Sequence, residues 1–402
     1  MKRRGSGCGV YVGEYDRAIR VNSCGQGTRC LDYAGGAGMP EIGGVGQVDR
    51  DSGRIAPPRQ SHTRVSRRRL LRWGGVIGLG VATGGLLTFR ARTASGFRRG
   101  VNLAGAEFNP EQLPGSHGQH YFYPAAESLD YYGGKGLALV RVPCRWERLQ
   151  RAPFSPLDRD ELALLDAVIA AAGARKMTVI IDIHNFARYR GAVIGTVGVP
   201  YAAFADLWRR VAERYRDEPA VWAYGLMNEP HDTDGRWPTA AQAAVDAIRS
   251  VDREHRLLVS GDAWSTASSW RQDNETLRIA DPTGNIMYEA HQYFDEDGTG
   301  RYRATYDEQG AYPDLGIDRV LPFSSWLEQH RLSGFISEYG VPGGDARWLT
   351  VLERFLAHLD ERRIGATYWA GGQHWGEYPL SVEPSGGADR PQMAVLARHP
   401  SR

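Results

Sequence analysis

The sequence predicts an α/β protein, a (β/α)8 TIM barrel over residues 96–402, and two observations carry that prediction. Short apolar runs alternate with amphipathic helical patterns from residue 100 onward. Polar or charged residues follow several of these runs, at the points where strands would end. Eight strand–helix units in about 300 residues match the size of such a barrel, so we expect one large domain there and no second one.

The eight predicted strands are short apolar stretches. In chain order they are residues 100–103, 137–142, 178–183, 223–227, 256–260, 285–289, 334–337 and 365–369. The predicted helices between them carry apolar residues at helical spacing, at 161–172, 201–215, 240–251, 323–329 and 348–362. No repeat of about 20–50 residues interrupts this region, which argues against a solenoid or a propeller.

The chain before the barrel is expected to contain two segments. Residues 1–60 are rich in Gly, Arg and polar residues without lasting periodicity, which predicts a disordered extension. Residues 61–95 contain the cluster Arg67-Arg68-Arg69, followed by an apolar, glycine-rich run at 73–87. This order resembles a twin-arginine export signal, and the run is too short to predict a membrane span. We therefore expect export to the periplasm or the cell exterior.

Three alternatives stay open for these 95 residues. The arginine cluster and the apolar run are also compatible with a basic linker before a mobile segment. An uncleaved signal would act as a membrane anchor, whereas a cleaved one leaves no stable membrane partner. A signal so far from residue 1 also suggests Met39 as the initiator.

Charge and cysteine content limit the classes of partner. Residues 1–99 hold 18 Lys/Arg against 6 Asp/Glu, which leaves 31 against 41 for the rest of the chain. An acidic barrel argues against a nucleic acid or a polyanion and fits a neutral substrate. Of the four cysteines only Cys144 lies in the predicted barrel, so we expect a buried thiol without a disulfide partner. We expect a monomer.

The strand ends supply the candidate functional residues, because the chemistry of such a barrel lies at the C-terminal ends of its strands. In the stretch at 223–232, small apolar residues lead to Asn228 and Glu229, and Pro230 then ends the strand. Burial at a strand end can raise the pKa of a glutamate, as a general acid requires. The other predicted strand ends carry Arg141, His184, Asn185, His291, Tyr293, Glu338 and Trp369.

Two carboxylates that face each other are the requirement for glycoside hydrolysis. One protonates the leaving oxygen, and the other attacks the anomeric carbon or activates a water. Retaining enzymes hold the two carboxyl groups about 5–5.5 Å apart and inverting enzymes about 6.5–9.5 Å apart. Glu229 and Glu338 would meet across the barrel mouth, and the sequence leaves their distance open.

These residues resemble the active-site pattern of glycoside hydrolase family 5, of the cellulase (endo-β-1,4-glucanase) type. Asn228-Glu229-Pro230 is similar to the acid/base signature of that family, and Glu338, in Ile-Ser-Glu-Tyr-Gly, is at its nucleophile position. Further stretches similar to bacterial and fungal endoglucanases begin at Tyr123, Arg141, Arg145, Asp182 and Asp389. The resemblance covers roughly residues 100–395. It implies a retaining, endo-acting hydrolase of β-1,4-glucan, a polysaccharide substrate, with no cofactor and no metal.

The resemblance also implies roles around the two glutamates. Glu229 would be the acid/base and Glu338 the nucleophile. Tyr293 would donate a hydrogen bond to Glu338 and orient it. Arg141 would lower the pKa of Glu338 and keep it ionised.

The remaining residues would bind the sugar. Asn228 would hydrogen-bond the 2-hydroxyl, where contacts tighten in the transition state. His184 and His291 would touch other hydroxyls, and Asn185 is a further substrate-binding candidate. Flat aromatic faces suit pyranose rings, so the expected sugar platforms are Trp264, Trp369 and Trp375. Weaker candidates are Trp146, Trp237 and Trp270, and the tryptophans expected in the core are Trp208, Trp222, Trp326 and Trp348.

Two other classes of protein compete with this interpretation. A metal-dependent barrel hydrolase could use Asp182, His184 and His291, but the sequence has no His-x-His near its first strand and no lysine at a later strand end. A non-catalytic sugar-binding barrel would normally lack one carboxylate, and here both are present. Within family 5, mixed-linkage glucan, xyloglucan, mannan and xylan are alternative substrates.

Overall fold

Eight parallel strands close into a barrel in the computed structural model, which describes residues 97–401. The strands are β1 (Arg99–Leu103), β2 (Leu139–Cys144), β3 (Thr178–Ile183), β4 (Arg188–Tyr189), β5 (Ala192–Val193), β6 (Val221–Gly225), β7 (Arg256–Ser260), β8 (Ile286–Tyr293), β9 (Gly334–Gly340) and β10 (Gly365–Gly371). The order around the barrel is β1-β2-β3-β6-β7-β8-β9-β10, and β10 pairs with β1. Strands β4 and β5 form a separate antiparallel pair.

Helices connect the strands, as the (β/α)8 prediction requires. They are α1 (Ala126–Gly134), α2 (Trp146–Leu149), α3 (Arg159–Ala174), α4 (Tyr201–Tyr215), α5 (Trp237–Arg249), α6 (Trp270–Asn274), α7 (Leu315–His330), α8 (Ala346–Glu361) and α9 (Pro391–Leu396), with a 3-10 turn at Ala263–Ser265. Among residues 97–401, none of these helices has the length and hydrophobicity needed to cross a bilayer. The predicted extension at 1–60 and signal at 61–95 lie outside the described residues.

The predicted barrel is confirmed, and most element boundaries agree to within two residues. Strands β3 and β7 and helix α4 match their predicted ranges residue for residue. The larger difference is α7, which was predicted to begin at Phe323 and begins at Leu315. It contains Pro322, a residue that removes one helical N–H and usually marks a boundary, and the prediction therefore started too late.

The helices are fixed at their starts by caps and along their length by one buried face. The Asp158 carboxylate accepts from two backbone N–H groups in the first turn of α3, and the Asp345 carboxylate accepts from one backbone N–H group in the first turn of α8. Helix α4 buries Phe204, Leu207 and Val211, at the three-to-four residue spacing of one helical face. Burial of each such side chain stabilises the fold by about 1.5–3 kcal/mol.

The barrel interior has an apolar lower part and a polar upper part. The apolar plug consists of Leu139, Ile180, Ala223, Leu258 and Phe335, which come from five strands and touch one another although β9 is not a neighbour of the others. Side chains alternate along a strand, so the inward residue two positions later forms the next layer. That layer is polar and buried, and it includes Arg141, Asp182 and Ser260.

A β-bulge in β9 places Glu338 inside the barrel. Phe335 faces inward as part of the plug, so regular alternation would turn Glu338 outward, towards the helices. The register between β8 and β9 shifts at this point, from Ala290 opposite Ile336 to His291 opposite Glu338. One extra residue in β9 reverses the alternation, and Glu338 joins the polar layer.

Candidate active site

The two glutamates predicted from the sequence lie next to each other at the mouth of the barrel. Glu229 lies in the loop after β6, where its φ of +43° is unusual for a residue with a side chain. Glu338 lies in β9, and both side chains are buried. One carboxylate oxygen of each lies within 4.8 Å of the other. This proximity matches the close spacing of retaining glycosidases and is shorter than the separation of the carboxyl groups in inverting enzymes.

His291 lies between the two carboxylates. Its Nδ1 is 2.7 Å from Oε1 of Glu229 and 3.5 Å from Oε2 of Glu338. Burial lowers the pKa of His291, which favours the neutral ring. A neutral imidazole has one N–H, and the shorter contact is to Glu229. His291 therefore holds the Glu229 carboxyl in place beside Glu338.

Glu338 is held by two donors. The Tyr293 hydroxyl donates to Oε2 at 2.9 Å, and Arg141 Nη1 donates to Oε1 at 2.9 Å. Burial nevertheless raises the pKa of Glu338 to about 7, against the opposing effects of His291 and Arg141. Arg141 lowers the pKa of Glu338, the direction predicted from the sequence, but desolvation outweighs this charge interaction.

Arg141 is the centre of the polar layer. Its guanidinium donates to Oδ1 of Asn102 at 2.9 Å and to Oδ1 of Asn228 at 2.7 Å, and Nη2 lies 3.0 Å from Oδ1 of Asp182. Removal of one partner from such a buried ion pair typically costs about 3–5 kcal/mol. The other amide atom of Asn228, Nδ2, has no hydrogen-bond partner among the described residues and is available as a donor.

His184 and Trp369 form one wall of the site. The Asp182 carboxylate lies 2.9 Å from Nδ1 of His184, and the His184 ring stacks on Trp369 with centroids 5.7 Å apart and planes 15° apart. Burial lowers the pKa of His184 well below its ordinary value, so the ring is neutral. A neutral histidine held through Nδ1 presents Nε2 for other contacts.

Asn185 has a different position from the one predicted. Its Oδ1 accepts from the backbone N–H of Trp146 at 2.7 Å, and its Nδ2 donates to Glu147 at 2.8 Å. Both ends of the amide thus hold the start of α2. The structure therefore gives Asn185 a supporting role in place of the expected substrate contact.

The three predicted sugar platforms differ in exposure. The Trp264 side chain is 48% exposed and stacks on His231, with centroids 4.6 Å apart. Its backbone N–H donates to the carbonyl of Pro230, so it follows the Glu229 loop. Trp375 is half-buried, stacks on Tyr378 at 4.6 Å and meets the buried Trp369 edge-on at 5.7 Å.

The weaker tryptophan candidates are not at the site. Trp146, Trp237 and Trp270 begin α2, α5 and α6 and are fully buried in the core. The tryptophans expected in the core are packed there, fully buried for Trp208, Trp326 and Trp348 and partly exposed for Trp222.

Several residues of the polar layer were not among the predicted site residues. Asn102, Asp182 and Glu289 are buried and act on Arg141 or its partners. The signal that could have found them is the period of a strand. Asp182 and Glu289 each precede a predicted histidine by two positions and therefore face the same side of the strand.

The three central side chains also offer a set of metal-ligating atoms. Glu229, His291 and Glu338 present two carboxylate oxygens and a ring nitrogen within 4.8 Å of one another. Such a mixed set suits a divalent transition-metal ion. Two of these three groups are the carboxylates that a retaining glycosidase needs, and a chelation experiment separates the two uses.

The comparisons with known proteins agree on one family. The profile described as Cellulase (glycosyl hydrolase family 5) matches residues 101–374. The chain is 31% identical over 325 residues to a probable endo-beta-1,4-glucanase B of Neosartorya fischeri, a match that covers 79% of this chain and 96% of that protein.

Solved structures agree with this match. The Pseudomonas stutzeri endoglucanase Cel5A in complex with cellobiose is similar with a TM-score of 0.73 and 42% identity, over 75% of this chain and 92% of that one. XacCel5A in complex with cellopentaose is similar with a TM-score of 0.72 and 38% identity, over 76% of this chain and 99% of that one. The region matched by the family profile includes both glutamates.

Proposed function

Because the chain belongs to the cellulase family, glycosyl hydrolase family 5, we propose that it is a retaining endo-β-1,4-glucanase in which Glu338 is the nucleophile and Glu229 the acid/base. The observation that carries this proposal is the pair of buried glutamates with carboxylate oxygens within 4.8 Å of each other. The relatives named endo-beta-1,4-glucanase support the choice of polymer.

The first half of the reaction makes a covalent intermediate. The ionised Glu338 attacks the anomeric carbon from below the β-linked sugar, while Glu229 gives its proton to the leaving glycosidic oxygen. The Tyr293 hydroxyl and the Arg141 guanidinium hold the attacking carboxylate in one orientation. A fixed attack geometry reduces the entropy that the transition state must lose.

The second half releases the sugar with its original configuration. Glu229, now ionised, takes a proton from a water that attacks the anomeric carbon from above. His291, 2.7 Å from Glu229 Oε1, keeps that carboxylate facing the reacting carbon in both halves. The product is the β-anomer.

The proposed contacts with the sugar follow from the unused donors and exposed rings. Nδ2 of Asn228 is buried without a partner among the described residues, so it can donate to the 2-hydroxyl. Trp369 forms the floor under the cleaved sugar, and Trp264 and Trp375 extend the aromatic surface to neighbouring sugars. Solved structures of similar proteins hold cellobiose and cellopentaose, which suits an extended site.

The decisive experiment assigns the two glutamates by stereochemistry. Proton NMR of the first product should detect the β-anomer. With an activated aryl β-cellobioside and azide, Glu229→Ala should give the β-glycosyl azide, because azide enters from the face that the acid/base occupied. Glu338→Ala should give the α-glycosyl azide. A β-azide from Glu338→Ala would reverse the two roles, and an α-anomer from the unmodified enzyme would mean inversion.

The preferred polymer is tested separately. We propose β-1,4-glucan before mixed-linkage glucan, xyloglucan, mannan or xylan. Incubation of the purified protein with this panel, and sizing of the products by chromatography, should give short oligosaccharides from β-1,4-glucan first. Faster release from another polymer would change the substrate and leave the carboxylate chemistry intact.

We also propose that the enzyme is exported through the segment at 61–95, where three arginines precede an apolar run. An acidic barrel that acts on an insoluble or large neutral polymer has to meet its substrate outside the cytoplasm. The arginine pair is the feature that a twin-arginine receptor would read.

A further inference from the structure

Ser260, the last residue of β7, makes two short hydrogen bonds with one hydroxyl. Its Oγ lies 2.5 Å from the backbone carbonyl oxygen of Met227 and 2.5 Å from Oε1 of Glu289. A serine hydroxyl has one hydrogen, and a backbone carbonyl can only accept. The Met227 carbonyl therefore requires the hydrogen of Ser260, and a hydrogen bond between Ser260 and Glu289 then requires a hydrogen on Glu289.

We propose that Glu289 is a neutral carboxylic acid that positions the loop carrying Asn228 and Glu229, through its hydrogen bond to Ser260. This inference rests on the proposed function for its effect on activity, but the protonation of Glu289 does not depend on it. Glu289 is a positioning residue, since it acts through Ser260 and touches none of the reacting atoms.

The surroundings of Glu289 favour the neutral form. The side chain is fully buried, and Oε2 has no hydrogen-bond partner among the described residues. Burial raises the pKa of Glu289 and the charge of Asp182 adds to this, whereas Arg141, His291 and the contact with Ser260 lower it. The Arg141 guanidinium, however, makes its direct contacts with Asp182 and Glu338. An ionised Glu289 would leave a charged oxygen buried without a donor, which is costly.

The loop that Glu289 positions is attached to its surroundings at five backbone groups of residues 226–228. The carbonyls of Leu226 and Asn228 accept from Trp208 Nε1 and from the N–H of Phe186, both at 3.0 Å. The N–H of Leu226 donates to Leu258 at 3.0 Å, and the N–H of Asn228 donates to Ile183 at 2.8 Å. The Met227 carbonyl, between these two, is held by Ser260. Met227 is two residues before the acid/base, so loss of this middle attachment moves Glu229 relative to Glu338.

The test compares variants that keep or remove the donor. Glu289→Gln keeps the shape and can still donate, through its NH2 group, to Ser260, so kcat/KM and its pH profile should stay within about threefold of the unmodified enzyme. Glu289→Met has a similar size but no donor. It should lower kcat about 10- to 100-fold with KM changed less than threefold, because a displacement of about 1 Å near the reaction can cost that much. Ser260→Ala should lose as much, and the double variant should lose no more than either single one.

Infrared spectroscopy detects the proton of the Glu289 carboxylic acid directly. The infrared difference spectrum of the unmodified enzyme minus Glu289→Gln, without substrate at neutral pH, should contain the C=O band of a protonated carboxylic acid. A carboxylate band in its place would overturn the proposal. So would a shift of the acidic limb of the pH profile to lower pH in Glu289→Gln, because loss of a negative charge near Glu338 would ease its ionisation.

The possible failures are distinguishable. If Glu289→Met does not fold, Ser260→Ala carries the kinetic test, and an unchanged kcat there overturns the positioning role. A reversal of the azide anomers would change the roles of the two glutamates while leaving the infrared result as it stands.

Discussion

The replacement of Glu338 by glutamine should abolish activity. At alkaline pH it should lower the free energy of unfolding less than a substitution at a buried position usually does. Glutamine keeps the size of the side chain and removes the charge. Burial raises the pKa of Glu338 from an ordinary 4.5 to about 7 in the folded protein. A raised pKa means that the folded state binds the proton more tightly than the unfolded state, so stability is greatest below about pH 4.5 and falls as the pH rises to about 7.

The magnitude follows from the same two values. One pKa unit is worth about 1.4 kcal/mol, so the change from 4.5 to about 7 corresponds to about 3 kcal/mol at high pH. Most of that change, about 2–3 kcal/mol, falls between pH 5 and pH 8. The free energy of unfolding of the unmodified protein, minus that of Glu338→Gln, should decrease by this amount between the two pH values.

Urea unfolding followed by tryptophan fluorescence at pH 5 and pH 8 measures both free energies. Glu111→Gln is the matched control, because Glu111 is an exposed glutamate outside the site. That variant should show no comparable change with pH. If the difference for Glu338→Gln is also the same at both pH values, the ionised form is not penalised in the fold. Arg141 would then hold Glu338 ionised, as the sequence suggested.

Three further predictions address the chemistry and one the export of the enzyme. Tyr293→Phe removes a hydrogen bond to ionised Glu338, and this loss raises the pKa of that carboxyl. The acidic limb of the kcat/KM profile should therefore move about one to two pH units upward, and an unmoved limb would contradict the hydrogen bond. Activity should survive a chelator and a reductant, whereas a loss restored by added metal would favour a metallohydrolase. Trp264→Ala should raise KM for cellopentaose several-fold but not for an aryl cellobioside; equal effects would exclude a distal platform. Arg67→Lys with Arg68→Lys should retain the enzyme in the cytoplasm, and normal export would refute the twin-arginine signal.

The sequence predicts the barrel well because its strands are mostly buried and contrast sharply with the segments between them. Residues 179–183 and 257–260 are continuous buried runs, and the strands that contain them, 178–183 and 256–260, were predicted to the residue. The topology of the barrel then determines which residues come together in the site. Once the strands are assigned, their C-terminal ends converge, and residues far apart in the chain such as Glu229 and Glu338 must meet.

The features of the site that could not be predicted from the sequence depend on local backbone and side-chain geometry. Regular alternation would turn Glu338 away from the plug side of β9, and only the observed register shift brings it inward. Asn102 and Glu289 stand inside strands, where a single polar residue does not reveal which buried group it contacts. The pKa of Glu338 depends on the balance of burial and the Glu229 carboxylate against His291, Arg141 and Tyr293, which a list of neighbours does not give.

The apolar plug at the lower end of the barrel also determines how protons reach the carboxylates. Its five side chains are all fully buried, so they shield the polar layer above them from solvent at the lower end of the barrel and leave the mouth as a route for protons and water. A glucan chain bound across Trp264 and Trp369 would cover that mouth. The protonation states in which Glu229 and Glu338 begin the reaction are then set before the substrate binds. A polysaccharide in the cleft therefore limits proton exchange between the two carboxylates and the solvent for as long as it is bound.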